Sequence, residues 1–543
     1  HYAHIGTGEL HLRPVLNLKD PEDIRRFRML AEETAKIVKK YRGSLSGEHG
    51  DGRLRGEFIP FMLGEDNYLL LKKLKQIADP GNIMNPGKII DTPPMDTGLR
   101  YSDGYEVFSK DFIFDYSADG SFQQHIEKCN GSGDCIRPYE FGGAMCPSYQ
   151  ATLDERYSTR GRANLIREIM GRPQKQSNSP VNKQILNILD ACLACKACKH
   201  ECPSAEDMAK VKSELLFLNY KKKGMSFSSR VIATIDMSNN WLHKVAFVYN
   251  LVVAVTPFSC FAKWITGISN KRDLPYLYKK NVAWHVKNNT LETFSGTNPI
   301  LSKVILFVDE FINYYEPWVG LKAIVLLKKL GYAVEVYTGI SSGRAAISKG
   351  RPDLAKKYAI RHLNALYGKV SSDVPLIGIE PSAILTFRDE YVSLLHGENQ
   401  NKALSIAENT MLIEEFIARE FRNGKIQRDS FSDQLYHVVF HAHCHQKALS
   451  NEEDIKTMLQ IPVNVTAEAI PSGCCGMAGS FGMEKKHYTL SMEIGNLVLF
   501  PYIRKQKNGT IIVTGGTSCR QQITDGTGKK ALHPVEFLES IIK

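Results

Sequence analysis

The chain has 543 residues, with 69 basic and 58 acidic side chains and a formal net charge of +11. Its length is sufficient for three or four domains, which excludes a small secreted fold held together by disulfides. The basic residues are spread along the chain and form no single tail, so we expect no nucleic-acid partner. Most of the twelve cysteines lie in ligand-like motifs. They indicate a reducing, cytoplasmic environment in which thiolates stay free.

The first part of the chain combines three histidines with a glutamate. His4 and His11 flank a glycine-containing turn, and Glu48 and His49 follow in a second glycine-rich stretch. Two imidazoles and one carboxylate with an open position suit a divalent zinc, manganese or iron(II) ion that acts as a Lewis acid. The alternative is a group of structural histidines in a strand and turn.

An amphipathic helix follows this group. Asp20 is a predicted N-cap, Pro21 occupies the first helical position, and apolar residues recur at helical spacing up to Gly43. The stretch Thr92-Pro93-Pro94 marks a linker. Residues 1–92 therefore form one predicted domain.

Four cysteines in the spacing C-x2-C-x2-C-x3-C, followed by proline, are the most specific motif of the chain. They are Cys192, Cys195, Cys198 and Cys202. This spacing is typical of a cubane iron-sulfur cluster, and the fourth cysteine serves the second cluster in two-cluster ferredoxins. A structural zinc site pairs two short CxxC knuckles across a longer loop, so it fits this run less well. Residues 101–225 form the predicted dicluster region.

A second cysteine group lies upstream, and Ser132 stands where its middle cysteine is expected. By the crossing rule, one cluster takes Cys192, Cys195, Cys198 and Cys146, and the other takes Cys129, Cys135 and Cys202. The second cluster is one thiolate short. It is either a 3Fe-4S centre or a 4Fe-4S centre with a non-cysteine ligand. The alternative is that Cys129 and Cys135 are ordinary buried thiols.

The predicted helical connector, residues 226–300, contains an unusually apolar segment from Val245 to Ile268. Asn250, Pro257 and Lys263 interrupt it, so a membrane-spanning helix is disfavoured. A buried helix or an amphipathic surface helix fits better. Lysines near this segment suit peripheral contact with the inner face of the cytoplasmic membrane.

Residues 301–543 alternate between strands and helices, which favours two α/β halves related by duplication. Aligned, Ser341-Ser342-Gly343 falls opposite Cys474-Cys475-Gly476, Ala383 opposite Cys519, and Glu310 near Cys444. Only the second half then carries thiolates for a metal centre: Cys444, Cys474, Cys475 and Cys519. Adjacent cysteines suit an opened iron-sulfur cluster. The alternatives are a redox dithiol or disulfide relay and a zinc site.

Several motifs together carry a family resemblance: His4-x-Gly-x-Gly-x-x-His11, Glu48-His49-Gly50-x-Gly52, Asp79-Pro80-x-x-Ile83-Met84-Asn85-Pro86-Gly87-Lys88, Cys146-Pro-Ser-Tyr and Ser158-Thr-Arg-Gly-Arg-Ala163. They resemble the FAD-linked oxidases that act on D-2-hydroxy acids, such as D-lactate dehydrogenase, glycolate oxidase and D-2-hydroxyglutarate dehydrogenase. The large fused members carry a flavoprotein, a dicluster ferredoxin and a cysteine-rich (CCG) domain. The CCG half is similar to the cysteine-rich subunits of heterodisulfide reductase and of anaerobic glycerol-3-phosphate dehydrogenase.

The resemblance implies an FAD cofactor, with Asn85 and Gly87 in the cofactor-binding motif. It also implies that His49 is the base for the hydroxyl proton and that a metal at His4, His11 and Glu48 orients the acid. In place of the family's GDGN, this chain has Gly6-Thr7-Gly8-Glu9. Most of a flavin-binding domain would precede the first residue, so we expect the chain to be a C-terminal portion.

The fold class implied is a multidomain α/β and α+β chain. It comprises the end of an FAD-linked oxidase C-terminal domain, a helical dicluster ferredoxin, and a duplicated CCG domain over residues 301–543. The predicted function is electron transfer within a 2-hydroxy-acid dehydrogenase, from flavin through iron-sulfur clusters to a quinone or carrier protein. The rivals are a non-catalytic electron-transfer subunit that works with a separate flavoprotein and a heterodisulfide-reductase-like enzyme.

Overall fold

The computed structural model describes residues 2–101, 105, 111–171, 181–291 and 301–543. Parts of the predicted dicluster region and of the predicted connector thus lie outside the described residues. The chain forms two compact units. One comprises His1–Phe108 with Glu168–Gln176, and the other comprises Ser109–Arg167 with Ser177–Lys543.

The smaller unit contains a β-hairpin and three helices: β1 (Tyr2–His4), β2 (Glu9–His11), α1 (Pro21–Lys40), α2 (Ile59–Leu63) and α3 (Glu65–Ala78). In the hairpin, His4 pairs with Glu9 in antiparallel register. The predicted N-cap of α1 is confirmed, because the Asp20 carboxylate accepts a hydrogen bond from the Glu22 N–H at 2.9 Å. The hairpin thereby places residues from both of its strands beside one another.

Six helices follow in the sequence region of the dicluster motifs: α4 (Phe122–Glu127), α5 (Pro147–Thr152), α6 (Thr159–Met170), α7 (Lys183–Asp190), α8 (Ala197–Glu201) and α9 (Met208–Lys223). They are short, and cysteine-bearing loops connect them. Asn182 caps α7 and Asp207 caps α9 through side-chain oxygens. Ile166, Ile185 and Leu215 are completely buried between these helices.

Five helices follow in the connector: α10 (Phe227–Ala233), α11 (Ile235–Leu242), α12 (Ala246–Ala254), α13 (Thr256–Thr266) and α14 (Val282–Lys287). The apolar segment breaks at Val255, immediately before the proline-containing first turn of α13. Among the described residues, no individual helix has the length and apolar character to cross a membrane. The pair Ile235–Ala254 and Thr256–Thr266 meets that test only jointly, with a bend of 100°.

The first α/β part contains a four-stranded sheet. Its elements are β3 (Ser302–Phe307), α15 (Glu310–Tyr315), α16 (Pro317–Lys329), β4 (Tyr332–Tyr337), α17 (Arg344–Ser348), α18 (Pro352–Leu366), β5 (Leu376–Gly378), α19 (Pro381–Arg388), α20 (Glu390–Leu394), α21 (Glu398–Glu408), β6 (Thr410–Leu412) and α22 (Ile413–Arg422). The strand order is β4-β3-β5-β6, and all pairs are parallel.

The second α/β part contains a three-stranded sheet. Its elements are β7 (Tyr436–Phe440), α23 (Cys444–Leu449), α24 (Glu453–Leu459), β8 (Val465–Ala469), α25 (Tyr488–Leu497), α26 (Leu499–Arg504), β9 (Ile511–Val513), α27 (Thr517–Thr527) and α28 (Pro534–Ile541). The parallel strand order is β8-β7-β9. In each part, the first strand therefore lies in the middle, and the second and third strands flank it.

One hydrophobic core serves both α/β parts. Leu306 of β3 and Phe440 of β7 belong to the same cluster of buried side chains, together with Phe537 of the last helix. The two sheets are thus held by shared apolar packing, the largest favourable contribution to folding. Each strand in a parallel sheet ends at the same edge as its neighbours, so the loops after β3, β4, β7 and β8 can gather functional side chains.

Candidate functional site

The hairpin and a nearby loop bring His4, His11 and Glu48 together. Their ligand atoms all lie within 4.8 Å of one another. Glu48 Oε2 lies 3.7 Å from His4 Nδ1, and Glu48 Oε1 lies 3.6 Å from His11 Nε2. His11 Nε2 is buried and makes no hydrogen bond with the described residues. Two nitrogen atoms and a carboxylate aimed at one point are a donor set that fits a divalent metal ion.

Glu9 is a fourth member of this group that the sequence analysis did not name as a ligand. Its carboxylate lies 3.9 Å from His4 Nδ1 and 3.8 Å from His11 Nε2, and its side chain is largely buried. A side chain at Gly47 would overlap this carboxylate. The strand pairing of His4 with Glu9 provides the signal that could have found it.

His49 lies at the edge of the same group. Its Nε2 atom is 2.9 Å from Glu48 Oε1, and the side chain is exposed. The neighbouring carboxylate can orient the imidazole. Such an exposed, carboxylate-paired imidazole can take a proton from a ligand that approaches the metal position.

Asn85 and Gly87 belong to a loop organised by the buried carboxylate of Asp79. Asp79 accepts hydrogen bonds from the N–H groups of Ile83 at 3.0 Å and Met84 at 2.9 Å. These bonds, with an ion pair to Lys75, lower the pKa of Asp79 to about 2. Asn85 and Gly87 both have positive φ angles. The loop is therefore a tight, exposed turn with accessible backbone, which fits close approach of a cofactor.

The four cysteines of the predicted first cluster line one cavity. Cys146 lines it together with Cys192, Cys195 and Cys198. Ala194 and Lys196 adopt left-handed backbone conformations, which turn the loop around this space. The residues present fit a cubane cluster, because four buried thiols converge from a short loop and a more distant cysteine.

A buried guanidinium supports this cavity. Arg162 Nη1 donates to Cys146 Sγ at 3.3 Å, and Nη2 donates to Ser148 Oγ at 2.9 Å. Burial raises the pKa of the Cys146 thiol. The charge of Arg162 and the hydrogen bonds from Ser148 and Arg162 together outweigh burial, so the pKa of Cys146 lies below its ordinary value. The thiolate needed for metal binding is therefore favoured at Cys146.

The residues of the predicted second cluster are more exposed. Cys129 and Cys135 are buried and Cys202 is half-buried. The Arg160 N–H donates to Cys135 Sγ at 3.2 Å. Ser132 is exposed on the turn between the two buried cysteines. Solvent can therefore reach the position at which a fourth cysteine is expected.

The four cysteines of the second α/β part lie at the ends of its strands. Cys444 begins α23, Cys474 and Cys475 follow β8, and Cys519 lies in α27. A hydrogen bond from Cys474 lowers the pKa of Cys444 to about 7. His441, Cys475 and Cys519 offer ligand atoms within 4.8 Å of one another. This buried, thiol-rich group fits a soft metal or cluster, with His441 as a nitrogen donor that the sequence analysis did not name.

Gln522 and Gly516 complete the surroundings of this thiol group. Gln522 Oε1 accepts a hydrogen bond from Arg272 Nη2 at 2.7 Å, so this side chain has a structural role. A side chain at Gly516 would lie 2.6 Å from His443 Cδ2 and 3.2 Å from Cys519 Sγ. The glycine therefore allows α27 to approach the histidines after β7.

The corresponding place in the first α/β part holds a carboxylate and two hydroxyls. Glu310 accepts hydrogen bonds from Ser341 Oγ at 3.0 Å, Ser342 N–H at 2.9 Å and Ser342 Oγ at 2.8 Å. Burial raises the pKa of Glu310. These are the residues that the sequence alignment of the two parts places opposite Cys444, Cys474 and Cys475. These oxygen atoms are hard donors that already form hydrogen bonds with one another, so they are poor ligands for a soft metal ion.

The cluster loop and the thiol group of the second part are neighbours. The His445 Nε2–H donates to the carbonyl oxygen of Ala194 at 3.1 Å, in the middle of the cysteine run. Burial raises the pKa of the Cys195 thiol, and the charge of a Cys444 thiolate raises it further. Two redox centres at these positions would lie within a short distance for electron transfer.

We expect Glu9→Gln to weaken zinc binding about tenfold or more, because it removes a carboxylate from the metal position. Zinc affinity is measured by competition with a chromophoric chelator. The control is Glu33→Gln, which changes an exposed carboxylate on α1 paired only with Lys36. Equal zinc affinities of the Glu9 variant and the control would contradict a role for Glu9 in metal binding.

Comparison with known protein families gives two matches. Residues 1–89 match the C-terminal domain of FAD linked oxidases, and residues 125–205 match the 4Fe-4S dicluster domain. No solved structure matches the chain.

Curated relatives match the chain along its full length. A D-2-hydroxyglutarate dehydrogenase of Pantoea ananatis is 27% identical over 582 residues, covering 100% of this chain and 55% of that protein. The enzyme of the same name from Escherichia coli is 26% identical over 580 residues, covering 100% of this chain and 56% of its own length. The chain thus spans about half the length of these relatives.

Another relative matches a smaller region. A subunit of the anaerobic glycerol-3-phosphate dehydrogenase of Escherichia coli is 26% identical over 238 residues, which cover 44% of this chain and 58% of that protein. These matches confirm the resemblance to fused flavoprotein and iron-sulfur proteins. The chain therefore carries the C-terminal domain of an FAD-linked oxidase, followed by a 4Fe-4S dicluster domain.

Proposed function

We propose that the whole protein is an FAD-dependent D-2-hydroxy-acid dehydrogenase that passes electrons through iron-sulfur clusters to an acceptor. The observation that carries this proposal is that relatives named D-2-hydroxyglutarate dehydrogenase match the whole chain, in which the match to FAD linked oxidases precedes the match to a dicluster domain. These names make D-2-hydroxyglutarate the favoured substrate among lactate, glycolate and 2-hydroxyglutarate. The match to one subunit of a glycerol-3-phosphate dehydrogenase favours the second candidate, an electron-transfer subunit that works with a separate flavoprotein.

The exposed apolar surface of the smaller unit supports contact with a flavin-binding domain. Ile5 is 95% exposed and Val15 is 99% exposed, and Ile77 and Ile83 are also largely exposed. A surface of this kind is normally covered by another domain or partner. We infer that it packs against the flavin domain, with the turn of Asn85 and Gly87 facing the cofactor.

The residues of the smaller unit have distinct roles in the proposed reaction. Bound FAD supplies a hydride acceptor for the substrate's α-carbon. His4, His11, Glu48 and Glu9 would hold the divalent metal, zinc, manganese or iron(II), which would supply a Lewis acid for the carboxylate and hydroxyl of the substrate. The His49 imidazole takes the hydroxyl proton, and the Glu48 carboxylate orients the ring.

The thiols of the larger unit have the role of cluster ligands. Cys146, Cys192, Cys195 and Cys198 hold one ferredoxin-type cluster, and Cys129, Cys135 and Cys202 hold the other. Iron-sulfur clusters supply one-electron carriers, so they split a two-electron oxidation into single transfers. We further propose a third centre at Cys444, Cys474, Cys475 and Cys519.

The two α/β parts are proposed to be duplicated CCG halves. Their matching strand orders and the matching places of Glu310 and Cys444 support this. The proposed domain boundaries, 1–92, 101–225, 226–300 and 301–543, rest on the sequence motifs.

The substrate proposal predicts that the whole protein oxidises D-2-hydroxyglutarate with an artificial electron acceptor and discriminates against the L isomer. His49→Ala is expected to lower kcat about a hundredfold or more, because the hydroxyl proton loses its base. The control is His437→Ala, which removes a half-buried imidazole on β7. Full turnover of the His49 variant would exclude its role as the base.

Ser132→Cys is expected to change the second cluster. If that centre is 3Fe-4S, a fourth thiolate completes the ligand set, and the 3Fe EPR signal of the oxidised protein is replaced by a 4Fe signal in the reduced protein. Ser121→Cys is the control, because Ser121 caps α4 outside the cysteine loops. Two identical four-cysteine centres in the unmodified protein would contradict the unequal pair.

Cys475→Ser is expected to remove the metal or redox signal of the second α/β part, because a serine hydroxyl rarely replaces thiolate on iron. Ser342→Ala is the matched control in the first part and is expected to leave the spectrum unchanged. Iron and sulfide analysis with EPR measures both. A folded, redox-active Cys475 variant with full iron content would disprove the third centre.

The exposed face of the connector suits peripheral membrane contact. Trp241, Phe247 and Trp264 are 73%, 81% and 76% exposed. The Lys244 ammonium lies 4.9 Å from the centre of the Trp241 ring. Exposed aromatic side chains with adjacent lysines match the boundary between acyl chains and anionic headgroups.

Co-sedimentation with phosphatidylglycerol vesicles tests this contact. The double variant Phe247→Ser and Trp264→Ser is expected to lower the bound fraction severalfold, because it removes buried apolar area from the lipid interface. Tyr367→Ser, an exposed aromatic residue outside the connector, is the control. Unchanged binding of the double variant would contradict the proposal.

A further inference from the structure

An open cavity of about 320 Å³ lies beside the first cluster loop. Its walls come from that loop, from α9, and from the segment 478–487 that follows Cys474 and Cys475. All of these residues belong to the larger unit. None of the roles described above uses this cavity. Its size is that of sites which bind small molecules.

The cavity shares a wall with the first cluster site. Cys192, Leu193 and Ala194 line the cluster cavity, and the same three residues line the open cavity. A molecule in the open cavity is therefore separated from the cluster position by one stretch of chain. This is the arrangement that electron transfer to a small molecule needs.

The lining combines apolar and hydrogen-bonding groups. Leu193, Leu216 and Phe481 contribute apolar surface, and Asn219 and Tyr220 contribute polar groups. Such a surface suits a flat apolar ring that carries hydrogen-bond acceptors. A carrier protein needs an accessible patch on the surface and would not enter a cavity of this kind.

His487 contributes a preorganised aromatic surface to the lining. Its ring stacks on Phe481 at 4.1 Å with an interplanar angle of 10°. Its Nε2 atom lies 3.0 Å from Asp190 Oδ2, which fixes the ring. Lys486 is exposed at the same edge, and its ammonium lies 2.5 Å from Asp190 Oδ1. Solvent therefore reaches the cavity past Lys486.

One helix of the connector lines part of the cavity. Ser229 of α10 lines it, and the neighbouring Ser228 hydroxyl donates a hydrogen bond to the Thr266 carbonyl at the end of α13. Helix α13 carries the exposed Phe258, Phe261 and Trp264. Helix α13, which presents apolar side chains to the outside, is therefore hydrogen-bonded to the helix that lines the cavity. This placement favours a lipid-soluble ligand.

We propose that this cavity is the binding site of a quinone-class electron acceptor. The proposal rests on the proposed function, since the electrons come from the hydroxy acid through the clusters. Two reduced iron-sulfur clusters each give up one electron in succession. The quinone takes these two electrons and two protons from solvent, both carbonyl oxygens form O–H bonds, and the product is the quinol.

The test uses the holoprotein with its clusters assembled and reduced by dithionite, so that neither flavin nor hydroxy acid is needed. Reoxidation of the clusters by menadione, a soluble quinone, is followed by stopped-flow absorbance. Asn219→Trp places an indole in the cavity and is expected to raise the menadione concentration for half-maximal rate at least tenfold. Ferricyanide, which can react at the surface, is expected to reoxidise the variant at the normal rate.

Asn423→Trp is the matched control, because it makes the same substitution at an exposed position at the end of α22. Ser480→Phe fills the cavity from its opposite wall and serves if the first variant loses its iron. A normal menadione dependence in an iron-replete, cavity-filled variant would overturn the proposal. So would reduced clusters that menadione leaves unoxidised but a carrier protein oxidises. Clusters that fail to form or to be reduced in the unmodified protein would instead contradict the proposed function itself.

Discussion

The buried ammonium of Lys196 is the contact on which the arrangement of the larger unit depends. It lies within the cysteine run and donates hydrogen bonds to Asp389 Oδ2 at 2.5 Å and Asp207 Oδ2 at 3.3 Å, with Glu390 Oε1 3.1 Å away. Burial disfavours its charge, yet these carboxylates together raise the pKa of Lys196. Removing one partner from such a group leaves uncompensated charge, at a cost of about 3–5 kcal/mol. The cluster loop is thus fixed to the first α/β part.

The second anchor of the loop comes from the other α/β part. His445 lies directly after Cys444, and its imidazole donates a hydrogen bond to the carbonyl oxygen of Ala194. Ala194 and Lys196 both have left-handed backbone conformations, which non-glycine residues adopt only with support from their surroundings. The loop therefore keeps its shape because both parts bind it. The same contacts bring the thiols of the two proposed redox centres together.

Local patterns predicted much of the fold and the metal-binding motifs. The predicted alternation of strands and helices over residues 301–543 and the N-cap at Asp20 are present, because hydrophobic patterning and capping are local properties of the chain. Lys196 with Asp389 was beyond prediction. The partners lie far apart in sequence, and only tertiary packing brings them together.

The two α/β parts differ in how they use the same place in the fold. In the first part, two serine side chains and one backbone N–H already satisfy the Glu310 carboxylate. In the second part, hydrogen bonds among the cysteines lower the pKa of Cys444 and Cys475, so thiolate is available for a metal. The first part then contributes carboxylates that hold the cluster loop, whereas the second contributes ligands. The loop that Lys196 fixes contacts His445 of the second part through Ala194, and it also lines the open cavity. Electrons leaving the proposed first cluster would therefore meet either the thiols of the second part or the cavity, and both proposed routes begin at this loop.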